Sequence, residues 1–437
     1  MRIALINSRV DAAGVNIRDH LGVLLTEGGR WPLADDHELV FHEVAGRLIY
    51  QDRIDEEVDA DLIVFISRHA SAQPVPALTV HVTGNYEAAD LGGEPGALAP
   101  AAPAWMHAIL GNLAARAPEG YRVSYEVTHH GPTALATPSL FVEIGSTAAE
   151  WADPAAGRAV AESILAAAPQ ETINLIGFGG THYAVRQTAI ALASRGAFGH
   201  IAPTRQIGAL DLDLVRRMRE ASRAVAAYID KKSLPAGEAA RVERLLDGAG
   251  IPLLTESEIQ EIGSLEWAAY LRVRALADEI AAGSRIRIHG LIGQGTPVPV
   301  DVNRDLVEET VKSDKTGLIT ALDGLPVVHL SKGSTEVLPT FIGFACGSSR
   351  LASDITTLCV KLLLIFEDAV IDGDHLVLQK VRFDPGKARR LGVPQGPLFA
   401  MLAGGKAVEI GGQTITPDAV QTTSTKRIHI PGLERYI

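Results

Sequence analysis

Between residues 1 and 255, short apolar runs alternate with stretches of helical spacing. Alternation of this kind restricts a chain to an α/β sheet covered by helices. Arg2 to Asn7, Asp61 to Ser67, Leu78 to Val82, Arg122 to Val127, Leu140 to Ile144 and Ile173 to Gly177 read as strands. Several are apolar throughout, as strands buried on both faces are. Ile17, Leu21, Leu24 and Leu25 share one helical face, and Trp105, Ile109, Leu110 and Leu113 share another. Asp153-Pro154 is an N-cap followed by proline at the first helical position. A further helix is expected from Tyr183 to Ala193, and the Gly/Ala/Pro-rich stretch Leu91 to Pro103 reads as a loop. The expected fold is a mostly parallel sheet covered by helices.

The pattern changes after residue 255. Ser257 to Ala282 is helical in spacing. Leu318 to Leu322 and Pro326 to Leu330 flank Asp323-Gly324, a hairpin signal. Leu351, Ile355, Leu358, Leu362 and Ile365 mark one long helix, and His375 to Phe383 alternates like a strand. Two domains are therefore expected, 1–255 and a smaller α+β domain, 256–437.

A chain of 437 residues with 47% hydrophobic and 21% charged residues has an ordinary globular composition. Its most membrane-like window, Leu358 to Ile371, is interrupted by Lys361, Glu367 and Asp368. The N-terminus opens as a strand and not as a signal peptide. Cys346 and Cys359 are the only cysteines, too few for a disulfide framework or a thiolate zinc site. A monomeric cytoplasmic protein is expected, with any metal held by nitrogen and oxygen. The net charge of −12 argues against a broad DNA-binding surface but permits a local grip on one RNA end. Arg216, Arg217, Arg219 and Arg223 lie on one expected helix, with Lys231 and Lys232 beyond it, and read as a solvated face.

The histidines of the first domain are not scattered. His69, His81, the pair His129-His130 and His182 all follow or end expected strands, and Glu143 sits inside an apolar run. In open α/β sheets ligands bind beyond the carboxyl ends of the strands. Imidazole titrates near neutrality and ligates metals, and a nearby carboxylate suits either metal binding or proton transfer. Gly177-Phe178-Gly179-Gly180-Thr181-His182 is a glycine turn expected to open a helix, where the N–H groups of Gly179 and Gly180 would receive an oxyanion. It is neither a Walker loop nor a dinucleotide loop, and no Gly-x-Ser-x-Gly elbow exists in the chain. Metal- or histidine-assisted attack of water on an ester fits these residues better than serine hydrolysis.

Six motifs together resemble one family. They are Ser67-Arg68-His69-Ala70-Ser71, His81-Val82-Thr83-Gly84-Asn85, Glu126 to Thr133, Phe141 to Ser146, Gly177 to Tyr183, and Phe198-Gly199-His200-Ile201-Ala202-Pro203. In this order, over residues 1 to 255, they resemble the archaeal and plant type of D-aminoacyl-tRNA deacylase. The resemblance implies a zinc-dependent esterase that removes D-amino acids from tRNA. It also implies a fold related to peptidyl-tRNA hydrolase and the nucleoside phosphorylases. On this reading zinc is held by some of His81, His129, His130 and His182, with Glu143 as ligand or base. Gly179 and Gly180 offer N–H groups, and His69 and His200 are further catalytic candidates. Two positions depart from the pattern: Thr181, where glycine is expected, and Val185, where proline is expected. The alternatives are a related peptidyl-tRNA or aminoacyl ester hydrolase, and a non-catalytic tRNA-binding metalloprotein. In the second domain, Phe383-Asp384-Pro385 and Leu391 to Leu398 look like the closing segment of tRNase Z. The His-x-His-x-Asp-His motif of that enzyme is absent, so the resemblance implies help in holding tRNA and no nuclease activity.

Overall fold

The computed structural model describes every residue except 29, 72–73, 291–294, 333–335 and 346. Cys346 thus lies outside the described residues. The chain divides into two compact units, Met1–Gly263 and Ser264–Ile437. No described helix is long and apolar enough to cross a membrane.

Among its described residues the first unit contains nine strands: β1 (Arg2–Ser8), β2 (Glu38–Val44), β3 (Leu62–Arg68), β4 (Ala77–His81), β5 (Arg122–Tyr125), β6 (Ser139–Gly145), β7 (Ile173–Phe178), β8 (Gly196–Ala202) and β9 (Ala226–Ile229). The strands pair mostly in parallel, as expected, but in two sheets. Six build a mixed sheet in the order β2-β1-β3-β6-β4-β5, and three build a parallel sheet in the order β8-β7-β9. Within the larger sheet only β4 and β6 pair antiparallel, so β4 and β5 run against the other four strands. The chain after β5 joins the two sheets: the Val127 N–H bonds the His182 carbonyl and the Thr128 N–H bonds the Ile201 carbonyl.

Apolar faces decide this packing. Ile3, Ala4, Leu5 and Ile6 of β1 are fully buried, as expected of a strand covered on both sides. Helix Ala12–Thr26 is capped by Asp11, whose carboxylate accepts from the Ala13 and Gly14 N–H groups, and it buries Ile17, Leu21 and Leu24. Each such side chain contributes roughly 1.5–3 kcal/mol. The helix lies so close to β3 that a Cβ on Gly14 would stand 2.6 Å from the Ile66 carbonyl oxygen. Helix Pro154–Leu165 starts where Asp153-Pro154 places it. Three strands lack a clear sequence signal: β2 is partly exposed, β8 contains two glycines, and β9 has only four residues.

In the second unit the four-stranded sheet is antiparallel, with β10 (Arg285–His289), β11 (Pro297–Asp301), β12 (Val327–Lys332) and β13 (Glu336–Phe344) in the order β10-β12-β13-β11. Two long helices, Arg304–Leu322 and Ser348–Phe366, share its core through Leu306, Leu318, Leu322, Phe341, Ile355 and Leu363. The hairpin expected around Asp323-Gly324 is not formed. Leu318–Leu322 ends the first long helix, Asp323 caps it, and β12 follows. An aspartate–glycine pair serves a helix end as well as a hairpin, and here the apolar i, i+4 pair Leu318/Leu322 belongs to the helix. The Leu391 to Leu398 stretch links two short helices, Pro385–Arg390 and Pro397–Ala403, over a small core that includes Ala388, Val393 and Leu402.

Candidate active site

Strand register puts the site on one face of the larger sheet, where alternate residues point the same way. Ser67 of β3 lies opposite Glu143 of β6, and Thr79 of β4 lies opposite Glu143 on the other side. Two residues along β6, Phe141 has Phe65 and His81 as its neighbours. The Phe141 ring stacks on both, at centroid distances of 4.6 Å and 5.4 Å. This apolar floor fixes the His81 ring beside Glu143. Because β4 and β5 are reversed, no common carboxyl edge gathers the histidines. They meet over a sheet face, brought there by β3, β4 and the two segments that follow β5 and β7.

Glu126, which the sequence reading placed in a motif but gave no role, is the centre of the site. Its side chain is completely buried. One carboxylate oxygen stands 3.0 Å from His69 Nδ1, and the other 3.0 Å from His182 Nε2, 3.4 Å from His129 Nε2 and 3.9 Å from His81 Nδ1. Its signal was the one used for Glu143: a carboxylate inside an apolar run.

The flanking bonds set the imidazole tautomers. His129 Nδ1 lies 2.8 Å from the Val127 carbonyl and His130 Nδ1 lies 2.6 Å from the Gly131 carbonyl. A carbonyl only accepts, so each Nδ1 carries the proton and each Nε2 presents a lone pair. His130 adopts a left-handed backbone, φ 48°, a strained choice for a residue with a Cβ. Burial pushes His81 and His129 well below the usual imidazole range and His130 down to about 4, so these rings are neutral near pH 7.

Three groups of side chains hold donor atoms close enough to share a metal ion. They are His81, His129 and His130; His69, Glu126 and His182; and His81, Glu126 and Glu143. His81 Nδ1, His182 Nε2 and both Glu126 oxygens are buried without a hydrogen bond. Buried polar atoms without a hydrogen bond are rare, and these four, of which the Glu126 oxygens only meet His69 and His182 as ion pairs at 3.0 Å, fit the donor set of a metal ion. Among the described residues no such group occurs in the second unit.

The two carboxylates are driven apart. Burial alone would raise Glu126, but the His182 and His69 imidazoles outweigh it and hold the group well below the usual range. Glu143 is pushed well above that range by burial and then by the Glu126 charge. The Ser67 hydroxyl donates to it at 2.5 Å. A cavity of about 280 Å³ opens over His69, His129, His130, His182 and Glu143.

Three expected catalytic residues lie elsewhere in role. The Gly179 N–H bonds the Ala202 carbonyl, and the Gly180 N–H bonds Thr204 Oγ1 and Ser233 Oγ, so neither is free to receive an oxyanion. The helix beyond them begins only at Val185. The glycines are there for shape: both have positive φ, 92° and 98°. His200 is fully buried and uses both ring nitrogens, Nδ1 with Thr128 Oγ1 and Nε2 with the Ala99 carbonyl. It braces the segment that carries His129 and His130.

Burial pushes His200 down to about 4. The unfolded chain takes up that proton near pH 6.5 and the folded one does not. Stability is therefore complete above about pH 6.5 and falls by roughly 3 kcal/mol as pH drops to about 4. His200→Gln, which keeps a donor and an acceptor but cannot titrate, should flatten that part of the curve. Denaturant midpoints between pH 4 and 7 check this, and an equal slope in both proteins would contradict it.

The D-aminoacyl-tRNA deacylase family profile matches residues 56–254. A D-aminoacyl-tRNA deacylase of Methanoculleus marisnigri is 78% identical over 437 residues, 100% of both chains. One of Methanosarcina mazei is 39% identical and aligns over 60% of this chain and 94% of its own. A crystal structure of a conserved protein of unknown function matches with a TM-score of 0.54 at 35% identity, over 59% of this chain and 96% of its own. The chain belongs to the D-aminoacyl-tRNA deacylase family.

Proposed function

We propose that the first unit hydrolyses the ester between a D-amino acid and the terminal ribose of tRNA, releasing both, with zinc in the histidine–carboxylate cluster. The observation that carries this reading is the convergence of unpartnered buried donors beneath an open cavity. Family membership supports the substrate. Nitrogen and oxygen donors suit zinc. His81 Nε2 and His130 Nε2 are 3.2 Å apart. His81, His129 and His130 would hold the ion, with His182 and Glu126 as the neighbouring donors. When bound, zinc supplies Lewis acidity, polarising the ester carbonyl and acidifying water.

The chain's own residues divide the remaining work. Glu126 stays charged and fixes His69 and His182 by direct approach. Glu143 holds a proton more tightly than an ordinary carboxylate and faces the cavity, which suits it to move protons between water and the leaving ribose oxygen. Tyr183 holds the other His69 nitrogen at 3.1 Å and so orients that ring.

Turnover of D-Tyr-tRNA, L-Tyr-tRNA and peptidyl-tRNA by one preparation tests the reading. Hydrolysis of the D-ester well above the other two is expected. Preference for peptidyl-tRNA would make the protein a different esterase, and tRNA binding without turnover would make it a binding protein.

The second unit is proposed to hold tRNA. Its Lys387-Ala388-Arg389-Arg390 run exposes Arg389 and Arg390 beside the segment that looks like tRNase Z. The Methanosarcina mazei relative, which this chain matches over 60% of its own length, supports an independent first unit. A protein ending at Gly263 should fold and keep its turnover at saturating tRNA, with a raised KM and a shallower salt dependence. An unchanged KM and salt slope would deny the second unit this role.

A further inference from the structure

The cavity over the histidine cluster has a feature that ester hydrolysis does not use. In a chain of net charge −12, three arginines line its wall: Arg47, Arg68 and Arg205. Arg68 is engaged. Its guanidinium lies 5.1 Å over the Trp151 ring, and its charge acts on Asp11 and Glu143. Arg47 lies over the exposed ring of Tyr50, and Arg205 over no aromatic ring among the described residues. Both are exposed, and among the described residues neither forms an ion pair or donates a side-chain hydrogen bond. They reach the same cavity from separate parts of the chain, one before the short helix Leu48–Tyr50 and the other within Thr204–Ala209.

An aromatic ring accompanies them. Tyr50 is 53% exposed, and the Arg47 guanidinium lies 5.5 Å from its ring centroid. An exposed ring with a guanidinium over it is a platform on which an unpaired base stacks. Guanidinium groups without carboxylate partners are matched to phosphate oxygens, which they bind through paired N–H donors.

We propose that Arg47, Arg205 and Tyr50 form the subsite for the single-stranded 3′ end of tRNA. The two arginines hold the phosphate that joins the terminal nucleotide to the one before it, and Tyr50 carries a base. That phosphate lies one ribose away from the ester, so a subsite on the cavity wall positions the ester over the cluster. The inference rests on the proposed reaction for its substrate and adds the residues that recognise the nucleic-acid part.

The test compares two esters: D-Tyr-tRNA, and D-tyrosyl-adenosine, which has the ester and the base but no phosphate. The readout is the ratio of their kcat/KM values. In the double variant Arg47→Glu with Arg205→Glu the ratio should fall at least ~10-fold, because charge reversal repels the phosphate. In Arg47→Lys with Arg205→Lys, which keeps the charge, most of the ratio should return. The wild-type dependence of log kcat/KM on log salt should also be steeper, by roughly 0.7 for each lost phosphate contact. A ratio within about twofold of wild type in the folded Glu variant would overturn the proposal. If the wild type hydrolyses neither ester, the reaction is wrong, and the subsite is judged by anisotropy of a labelled RNA ending in CCA. Weaker binding by the Glu variant then supports it, and equal binding overturns it.

Discussion

Glu126→Gln is expected to lower turnover of D-Tyr-tRNA at least ~100-fold while leaving the protein folded, the scale of losing a catalytic electrostatic group. The substitution keeps the shape of the side chain and removes its charge. Four imidazoles stand 3.0 to 3.9 Å from the two oxygens that change. Without the charge, His182 and His69 lose the group that fixes them, and Glu143 loses the neighbour that helps keep its own proton affinity high. His130→Ala and His182→Ala should each cost a similar factor, because His130 is a donor of the cluster and His182 borders the cavity. Circular dichroism checks folding and single-turnover kinetics check chemistry. Folded Glu126→Gln protein within a few-fold of wild type would reduce the carboxylate to a packing role.

How much of this site could be read in the sequence depends on the range of the interactions involved. The histidines stood out because an imidazole at the end of an apolar strand is unusual on local grounds alone. Glu143 stood out for the same reason. Glu126 carries an equal anomaly, but its importance arises only when β4 and β5 dock in reversed direction against β6, a long-range choice that no local pattern encodes. The same reversal moves the site from a strand edge to a sheet face, and β7, β8 and β9 form a sheet of their own. Gly179 and Gly180 were read correctly as a turn, but tertiary partners from Ala202, Thr204 and Ser233 take their N–H groups. His200 belongs to a matching motif, yet its two bonds show a brace and not a reactive group. In the second unit Asp323-Gly324 was ambiguous between a hairpin and a helix end, and Leu318 and Leu322 settled it by packing into the helical core. Arg47, Tyr50 and Arg205 lie in short irregular segments with no periodicity, so only folding places the two arginines on one cavity wall.

Removal of metal should have the largest effect of all, because it affects every donor group at once. His129 and His130 present lone pairs held in place by backbone carbonyls, and burial keeps both rings neutral. Lone pairs held in place in this way suit the site to a cation. The most direct measurement returns zinc stepwise to chelator-stripped protein while D-Tyr-tRNA turnover and bound metal are followed together. Stripped protein should be folded and at least ~100-fold less active, with turnover rising in proportion to bound zinc until the site is filled. Full turnover of D-Tyr-tRNA by rigorously metal-free protein would contradict the account.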